Sequence, residues 1–389
     1  MRIEISDEER EFRAEARDWL EAHVPKVHRR AYVRQHDTEW QRTLYDGGWA
    51  GINWPKEHGG RGLPPDQLLI WYEECARVHA PHWGCMATAL MHAGPTLIVR
   101  GTEEQRAYHL PRILKGESVW CQGWSEPGAG SDLASLTTRG DIDGDHLVVN
   151  GSKIWTSSGH LADWQELLIR TDQNATKQKG ISWVICDMHS PGIEVRAIPT
   201  MSGPFDSHFA QVFYNDVRIP LTNVVGGLNN GWDVAAATLG FERGTGFIPE
   251  QLHQVEVLED LIKLALERHK RSGYSHLDEG DIMYRLATLR AEFAAIRALT
   301  YQSISRDRNG TPGSESSMIR LYFSETLQRL TRVAIDVLGP RMMELSDDRG
   351  WTYGYLRAFP ATIAAGTSDI QRNIIGERIL GLPRGPKPQ

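Results

Sequence analysis

The chain has 389 residues, 40% of them hydrophobic and 24% charged, and a formal net charge of −7 at pH 7. That length has room for two or three domains, and the composition is that of a globular chain, neither disordered nor membrane-spanning. With no block of lysine or arginine, nucleic acid and anionic membrane surfaces are not expected as main partners.

The opening MRIEISDEEREF is charged from its second residue and has no apolar core, so no secretory signal is expected. No apolar run is long enough to span a bilayer. Cys75, Cys85, Cys121 and Cys186 are widely spaced, with neither a CxxC pair nor Cys/His ligand spacing. They read as buried or free thiols of a reducing cytoplasm, with no metal site.

Residues 1–118 are predicted to form an N-terminal α-helical domain. Ser6 and Glu9 have capping-box spacing, after which Phe12, Ala16, Trp19 and Leu20 share one face. WPKEHGGRGLP, 54–64, breaks the pattern with prolines and glycines, and helical periodicity returns in LIWYEECARV and EEQRAYHLPRILKG. Residues 119–228 change period, which predicts an antiparallel β-barrel or sandwich as the middle domain. HLVVNGSKIW reads as two strands joined by a hairpin turn at Asn150-Gly151, and QELLIRT, ISWVICDM, IEVRAI and QVFYNDVRI follow as short strands. Residues 229–389 are predicted as a C-terminal four-helix bundle, completing an α+β multidomain fold. Leu252, Val255, Leu258, Ile262 and Ala265 recur on one helical face, IRLYFSETLQRLTRVAIDVL stops at Gly339-Pro340, and GPKPQ reads as a loose tail.

Four stretches carry candidate chemistry. In WCQGWSEPGAGSDLASL, 120–136, glycines let backbone N–H groups approach a ligand, and Ser125 and Ser131 add hydroxyl donors. From glycine spacing alone it is a tight polar connection. In KIWTSSG, 153–159, Trp155 can lie against a flat ring while Thr156, Ser157 and Ser158 bond its heteroatoms; alone it is a half-buried tryptophan beside a polar turn. GTSDIQRNIIGERILG, 366–381, opens a helix with Thr367 or Ser368 as N-cap and presents free N–H groups. The residues before it, Ala364 and Ala365, can neither give nor take a proton. In GWDVAAATLGFERGTG, 231–246, Glu242 stands among Gly240, Gly244 and Gly246, each costing a helix ~1 kcal/mol relative to alanine. On its own Glu242 is one more solvated helical glutamate.

Together SEPGAGSD, NGSKIWTSSG, the early WPKEHGGRG and the late GTSDIQRNIIGERILG resemble, in the same order, the flavin-dependent acyl-CoA dehydrogenase family. The resemblance implies an FAD whose isoalloxazine lies between the β domain and the bundle. It places Gln122, Trp124, Ser125, Gly130 and Ser131 along the flavin and the approach of the CoA thioester, with Ser131 on the substrate side as well. Trp155, Thr156 and Ser157 would pack on and bond the flavin, and Thr367, Ser368 and Asp369 would touch it from the bundle side. The implied chemistry removes an α-proton while the β-hydrogen leaves as hydride to flavin N5, with backbone at Ala365 and Gly366 holding the thioester carbonyl.

Many members of that family carry a glutamate base two residues before this threonine, where this chain has Ala365. Members acting on branched or bulky acyl chains instead carry it just before a substrate-side arginine, which Glu242-Arg243 matches. The resemblance therefore implies Glu242 as catalytic base, with the surrounding glycines making room for a wide acyl group. Family members also complete a neighbour's FAD site with an Arg-x-x-Phe-Gly run and a glutamine. Here Arg268 is kept, Arg271 stands at the Phe position, Asp336 at the glutamine, and Pro340 replaces a glycine. An aspartate there lacks an amide's donors and adds negative charge. That pattern is similar to heteromeric bacterial steroid and cholesterol acyl-CoA dehydrogenases, whose bundle helix RLYFSETLQRL also resembles.

The expectation is an FAD-dependent α,β-dehydrogenase of a branched, bulky or steroid-derived acyl-CoA. It would be a homo- or heterotetramer, with a second dehydrogenase-like chain in the latter case, and would use an electron-transfer flavoprotein as acceptor. The alternatives are an oxygen-using acyl-CoA oxidase and a non-catalytic partner subunit. Hydrolase motifs HExxH and GxSxG are absent.

Overall fold

The structure, a computed structural model, describes residues 6–26, 32–202, 208–243, 248–268, 272–306, 315–344 and 350–385. Five helices come first: α1 (Asp7–His23), α2 (Arg34–Asp46), α3 (Pro65–Arg77), α4 (Gly94–Arg100) and α5 (Glu103–Leu114). Strands β1 (Trp120–Gly123), β2 (Arg139–Asp143), β3 (His146–Ser157), β4 (Trp164–Arg170), β5 (Ile181–Asp187), β6 (Ile193–Ile198), β7 (Phe209–Pro220) and β8 (Val224–Val225) follow. The last helices are α6 (Gly231–Arg243), α7 (Ile248–Leu266), α8 (Gly280–Arg306), α9 (Ser316–Leu338), α10 (Trp351–Ala358) and α11 (Ser368–Ile374). This is the helical, β and helical-bundle order that the periodicity predicts. No helix among the described residues is long and apolar enough to cross a membrane.

Local chemistry explains several boundaries. The Ser6 hydroxyl accepts the Glu9 N–H at 3.1 Å and the Glu9 carboxylate accepts the Ser6 N–H at 2.6 Å, so α1 starts on a full capping box. Phe12, Ala16 and Leu20 then bury one face. α9 ends where Gly339 takes φ +52.

The strands form one sheet in the order β6-β7-β3-β2-β4-β5-β8, with β1 beside β4. It departs from the sequence reading in two places. β1 runs parallel to β4, so the sheet is not wholly antiparallel. And Asn150-Gly151 is not a turn: β3 runs straight through it. The hairpin lies at Gly144-Asp145, where Gly144 has the positive φ (+62) that the first position of a tight turn of this kind needs. At Asn150 the side chain reaches across to β7, accepting the Asp216 N–H at 3.0 Å, and the register slips between Val149 and Gly151. A Cβ on Gly151 would stand 2.6 Å from Thr138 Oγ1. Asn-Gly thus serves a β-bulge, which uses the same glycine freedom as a hairpin turn.

Two compact, interleaved units are present. One holds Met1–Ala22, Pro65–Ala80 and Arg243–Gln389, and the other His23–Pro64 and Pro81–Glu242. The first is the bundle, cored by Leu261, Leu286, Phe293, Phe323, Leu330 and Ala334, joined by α1 and α3. The second is the sheet with α2 and α4 to α6, cored by Trp120, Leu167, Leu168, Trp183, Val184 and Val212.

In the first unit Glu74 of α3 is 1% exposed and takes guanidinium bonds from Arg13, Arg17 and Arg77, each at 2.8–2.9 Å. Burial opposes its ionisation, but the three arginines outweigh it and hold its pKa down at about 2 against an ordinary 4.5. A depressed carboxylate pKa stabilises the fold fully above pH 4.5, and that contribution fades as pH falls toward 2. Glu74→Gln is therefore expected to lower the urea midpoint near neutrality, with the gap to wild type closing over that acid window. A gap independent of pH would assign the loss to packing instead.

Candidate active site

β1 ends at Gly123, where a Cβ would collide with Gln165 at 2.5 Å, and the chain then enters the glycine-rich loop. Glu126 anchors that loop. Its carboxylate accepts the Thr137 N–H and hydroxyl (2.7 and 2.8 Å), the Thr138 N–H (2.8 Å) and the Lys153 ammonium (2.8 Å). Lys153 of β3 is wholly buried and also donates to the Trp124 carbonyl at 3.0 Å. One strand position on, the Ile154 N–H donates to the Ser125 carbonyl at 2.9 Å. Burial draws the Lys153 pKa down to about 8, while Lys153 and the hydrogen bonds overcome burial at Glu126 and hold it at about 2. Both are charged at neutral pH. A Cβ at Gly128 or Gly130 would meet no atom within 4 Å among the described residues, whose packing does not demand those two glycines. Gln122 turns its amide to Glu166, donating at 2.8 Å, and Ser131 is exposed.

The ion pair also fixes the end of β3 beyond Lys153. Register slips between Lys153 and Thr156, and Trp155 sits at that irregularity with φ +62 and 58% exposure. Ser158 comes next at φ +57. Non-glycine residues in this region cost roughly 1–3 kcal/mol each, so the strand stores strain to hold an indole outward. Phe209, edge-to-face at 6.0 Å, braces it. Nearby, Thr156 Oγ1 and Trp124 Nε1 are buried with no hydrogen-bond partner among the described residues, and Ser157 pairs with Phe209 on β7.

In the first unit, Ala365 (φ +54) and Gly366 (φ +94) turn the chain into α11. Thr367 is the N-cap, accepting the Ile370 N–H at 3.2 Å. Two side chains that sequence reasoning passed over build this turn. Arg320 of α9 donates to the carbonyls of Ala361 and Ala364 (2.9 and 3.0 Å), and Gln371 donates to those of Ala365 and Gly366 (3.0 and 3.3 Å). An arginine inside the apolar run MIRLYF was the available signal for the first. A Cβ on Gly366 would stand 2.7 Å from the Gln371 amide. Ser368 Oγ is buried without a partner among the described residues, and Asp369 is exposed, 3.5 Å from Arg372.

Glu242 and Arg243 form the last turn of α6; their side chains lie outside the described residues, as do Gly244 and Gly246. A Cβ on Gly240 would meet nothing within 4 Å, so no packing need within the described chain accounts for that glycine. α6 is tied to α4 by the buried Thr96–Thr238 hydroxyl pair at 2.8 Å and by Arg100–Asp233 at 2.9 Å. Arg268 lies past the end of α7, exposed, donating to the Gly273 carbonyl at 2.7 Å and paired with Asp278 at 3.3 Å. Arg271 is outside the described residues. Asp336 is not a bare charge: Arg285 of α8 holds it at 2.7 Å and reaches Asp281 as well. Among the described residues no group of three His, Cys, Asp or Glu is placed to hold a metal ion.

The chain matches the N-terminal, middle and C-terminal domain families of acyl-CoA dehydrogenases over residues 6–117, 121–217 and 229–380. The acyl-CoA dehydrogenase IpdE1 of Mycobacterium tuberculosis is 36% identical over 395 residues, covering 97% of this chain and 98% of that one. This chain belongs to the acyl-CoA dehydrogenase family. The M. tuberculosis acyl-CoA dehydrogenase FadE29 is 31% identical over the full length of both chains. Among solved structures, a steroid acyl-CoA dehydrogenase described as Tcur3481–Tcur3483 superposes with a TM-score of 0.84 at 30% identity, covering 99% of this chain and 100% of that one. The ChsE4–ChsE5 complex of M. tuberculosis gives 0.82 at 30% identity, with the same coverage.

As an acyl-CoA dehydrogenase the chain is an oxidoreductase of a fold whose members hold FAD, and its own residues fit that group. Each unit presents buried polar atoms left unmatched among the described residues: Thr156 Oγ1 and Trp124 Nε1 in one, Ser368 Oγ in the other. A buried hydroxyl or indole N–H without a partner is costly, and a flavin's carbonyls and ring nitrogens are suitable partners. The strained, outward indole of Trp155 offers a flat apolar face of the kind a tricyclic ring covers.

Proposed function

We propose that this acyl-CoA dehydrogenase oxidises the α,β bond of a branched, bulky or steroid-derived acyl-CoA, with Glu242 as the base. The observation that supports this reading is the turn at 361–369. It is fully built, with Arg320 and Gln371 bonding four of its carbonyls, yet Ala365 places a methyl group where a base would stand. The proton chemistry then needs a carboxylate from elsewhere, and α6 ends on Glu242. Trp155, Thr156 and the 122–131 loop in the second unit, and Thr367 to Asp369 in the first, are the residues that would contact FAD, which would supply the hydride acceptor. The chain's own part is to fix the thioester carbonyl through backbone N–H groups at 365–366, acidify the α-carbon, and take its proton on the Glu242 carboxylate. Arg243 stands beside it on the substrate side.

Relatedness to a solved steroid acyl-CoA dehydrogenase supports the bulky acyl class. Anaerobic mixing of the FAD-loaded protein with thioesters from butyryl-CoA to steroid side-chain CoA is expected to bleach the flavin fastest with the bulky members. Fastest bleaching by straight chains would overturn the substrate class. Ala365→Glu is expected to give no gain in turnover, because two carboxylates facing one carbon raise each other's pKa and the new side chain must sit at φ +54. A several-fold gain would return the base to position 365.

A second reading concerns assembly. Arg271 and Asp336 stand where homomeric relatives carry the groups that complete a neighbour's FAD site, and two of the superposed structures are complexes of two different chains. This chain pairs in the same way with a different dehydrogenase-like chain, passing electrons to an electron-transfer flavoprotein. A homotetramer with one FAD per subunit, formed by the chain expressed alone, would remove that reading.

A further inference from the structure

Ala364, Ala365 and Gly366 carry no chemistry in their side chains, so what this turn can do lies in its peptide units. The Ala365 and Gly366 N–H groups make no hydrogen bond among the described residues. The carbonyls of the same two peptides are both occupied. The Arg320 guanidinium donates to the Ala364 carbonyl at 3.0 Å, and the Gln371 amide donates to that of Ala365 at 3.0 Å. In a trans peptide the N–H points away from the carbonyl, so a donor on the oxygen also aims the N–H. The same donor draws electron density from the N–H, and such coupling strengthens the next bond in a hydrogen-bonded series by roughly 10–30%. One of the two donors here is cationic, and charge-assisted bonds are about twice as strong as neutral ones.

Stability alone does not account for this pair. Gln328 of α9 ties the loop independently, donating to Thr362 Oγ1 at 3.0 Å. Gln371 is 2% exposed, and its Oε1 is buried with no partner among the described residues. A leucine of similar size would leave no such unmatched acceptor, so the amide is retained against a cost. Arg320 is 9% exposed on a helix whose Ile319 and Phe323 are buried, a place where a guanidinium is expensive to desolvate.

We propose that Arg320 and Gln371 are positioning residues for the reaction. Through peptides 364–365 and 365–366 they orient and polarise the two N–H groups that bond the thioester carbonyl. This rests on the reading that those N–H groups hold that carbonyl. When the α C–H bond breaks, its proton passes to the base carboxylate and the electron pair spreads onto the carbonyl oxygen. A bond to that oxygen strengthens as the charge develops, so a more polar N–H lowers the barrier more than it tightens binding. The effect therefore belongs in kcat and not in KM.

The test uses FAD-loaded protein and two probes isotope-labelled at the carbonyl carbon, butylthioacetyl-CoA and cyclohexylthioacetyl-CoA, in which sulfur replaces the β-carbon and blocks oxidation. Infrared difference spectra read the carbonyl stretch, which falls as its hydrogen bonds strengthen. Wild type is expected to lower it for whichever probe binds. Arg320→Met and Gln371→Leu should each lose about a quarter of that downshift or more with FAD content unchanged, and Arg320→Lys should keep more of it than Arg320→Met. The oxidisable counterparts are heptanoyl-CoA and 3-cyclohexylpropanoyl-CoA. On these the Met and Leu variants should lose kcat by roughly five- to fiftyfold, below the roughly 10²–10³ that removing an oxyanion donor itself costs, with KM within about threefold. Gln328→Leu, which loosens the loop without touching either peptide, should leave the stretch and kcat near wild type. Should Arg320→Met fail to fold, Gln371→Leu decides the matter by itself. A full downshift in Gln371→Leu, or an equal loss in Gln328→Leu, overturns the proposal in favour of a structural role. If wild type shows no downshift, or neither probe binds, the reading of 365–366 fails first and takes this one with it.

Discussion

Glu242→Gln is expected to keep its FAD and lose turnover by roughly 10²–10⁴-fold, the range a positioned general base contributes. The amide is close to isosteric with the carboxylate and ends the same helix, so α6 and its ties to α4 through Thr96–Thr238 and Arg100–Asp233 are not disturbed. The variant loses only the ability to take a proton. Ala365 cannot compensate, because it holds only a methyl group in a turn whose carbonyls are already bonded by Arg320 and Gln371. Turnover with an artificial electron acceptor, normalised to flavin absorbance, checks this. Activity within a few-fold of wild type would remove Glu242 from the mechanism.

Lys153→Met is expected to be the most damaging change outside the chemistry. It leaves Glu126 buried at 7% exposure without its cation, and breaking one side of a buried pair costs about 3–5 kcal/mol. The damage should be local as well as global. Lys153 also holds the Trp124 carbonyl, and it precedes the strained Trp155 in the strand. FAD retention should therefore fall further than the thermal midpoint alone predicts. Pairing the change with Glu126→Gln removes the uncompensated charge and should recover stability more than FAD retention. Full recovery of both would mean that the pair supports the sheet and not the loop.

Much of this was legible in the sequence because it is local. The Ser6–Glu9 box, the helical faces, the strand runs and the stop at Gly339-Pro340 each depend on neighbours a few residues apart. The hairpin misplacement has a local cause too. Asn-Gly suits a tight turn and a bulge equally, and the choice was made by Asp216 on another strand. The site's supports were not legible for a different reason. Lys153 meets Glu126 across 27 residues, and Arg320 meets Ala364 across 44. No spacing rule reaches that far. The candidate ligand-facing residues cluster in short motifs that spacing can show, whereas the side chains that hold those motifs come from distant strands and helices. Cys85, Cys121 and Cys186 are buried free thiols, as their spacing suggested.

If the proton chemistry sits at the end of α6 and not at the turn before α11, the substrate α-hydrogen should report it. The most direct measurement is exchange of that hydrogen with D2O, followed by mass spectrometry in the FAD-loaded protein with the thioester that bleaches it fastest. Ready α-exchange is expected in wild type and in Ala365→Gly, and its loss in Glu242→Gln with FAD retained. Exchange at the wild-type rate in Glu242→Gln would contradict that placement of the base.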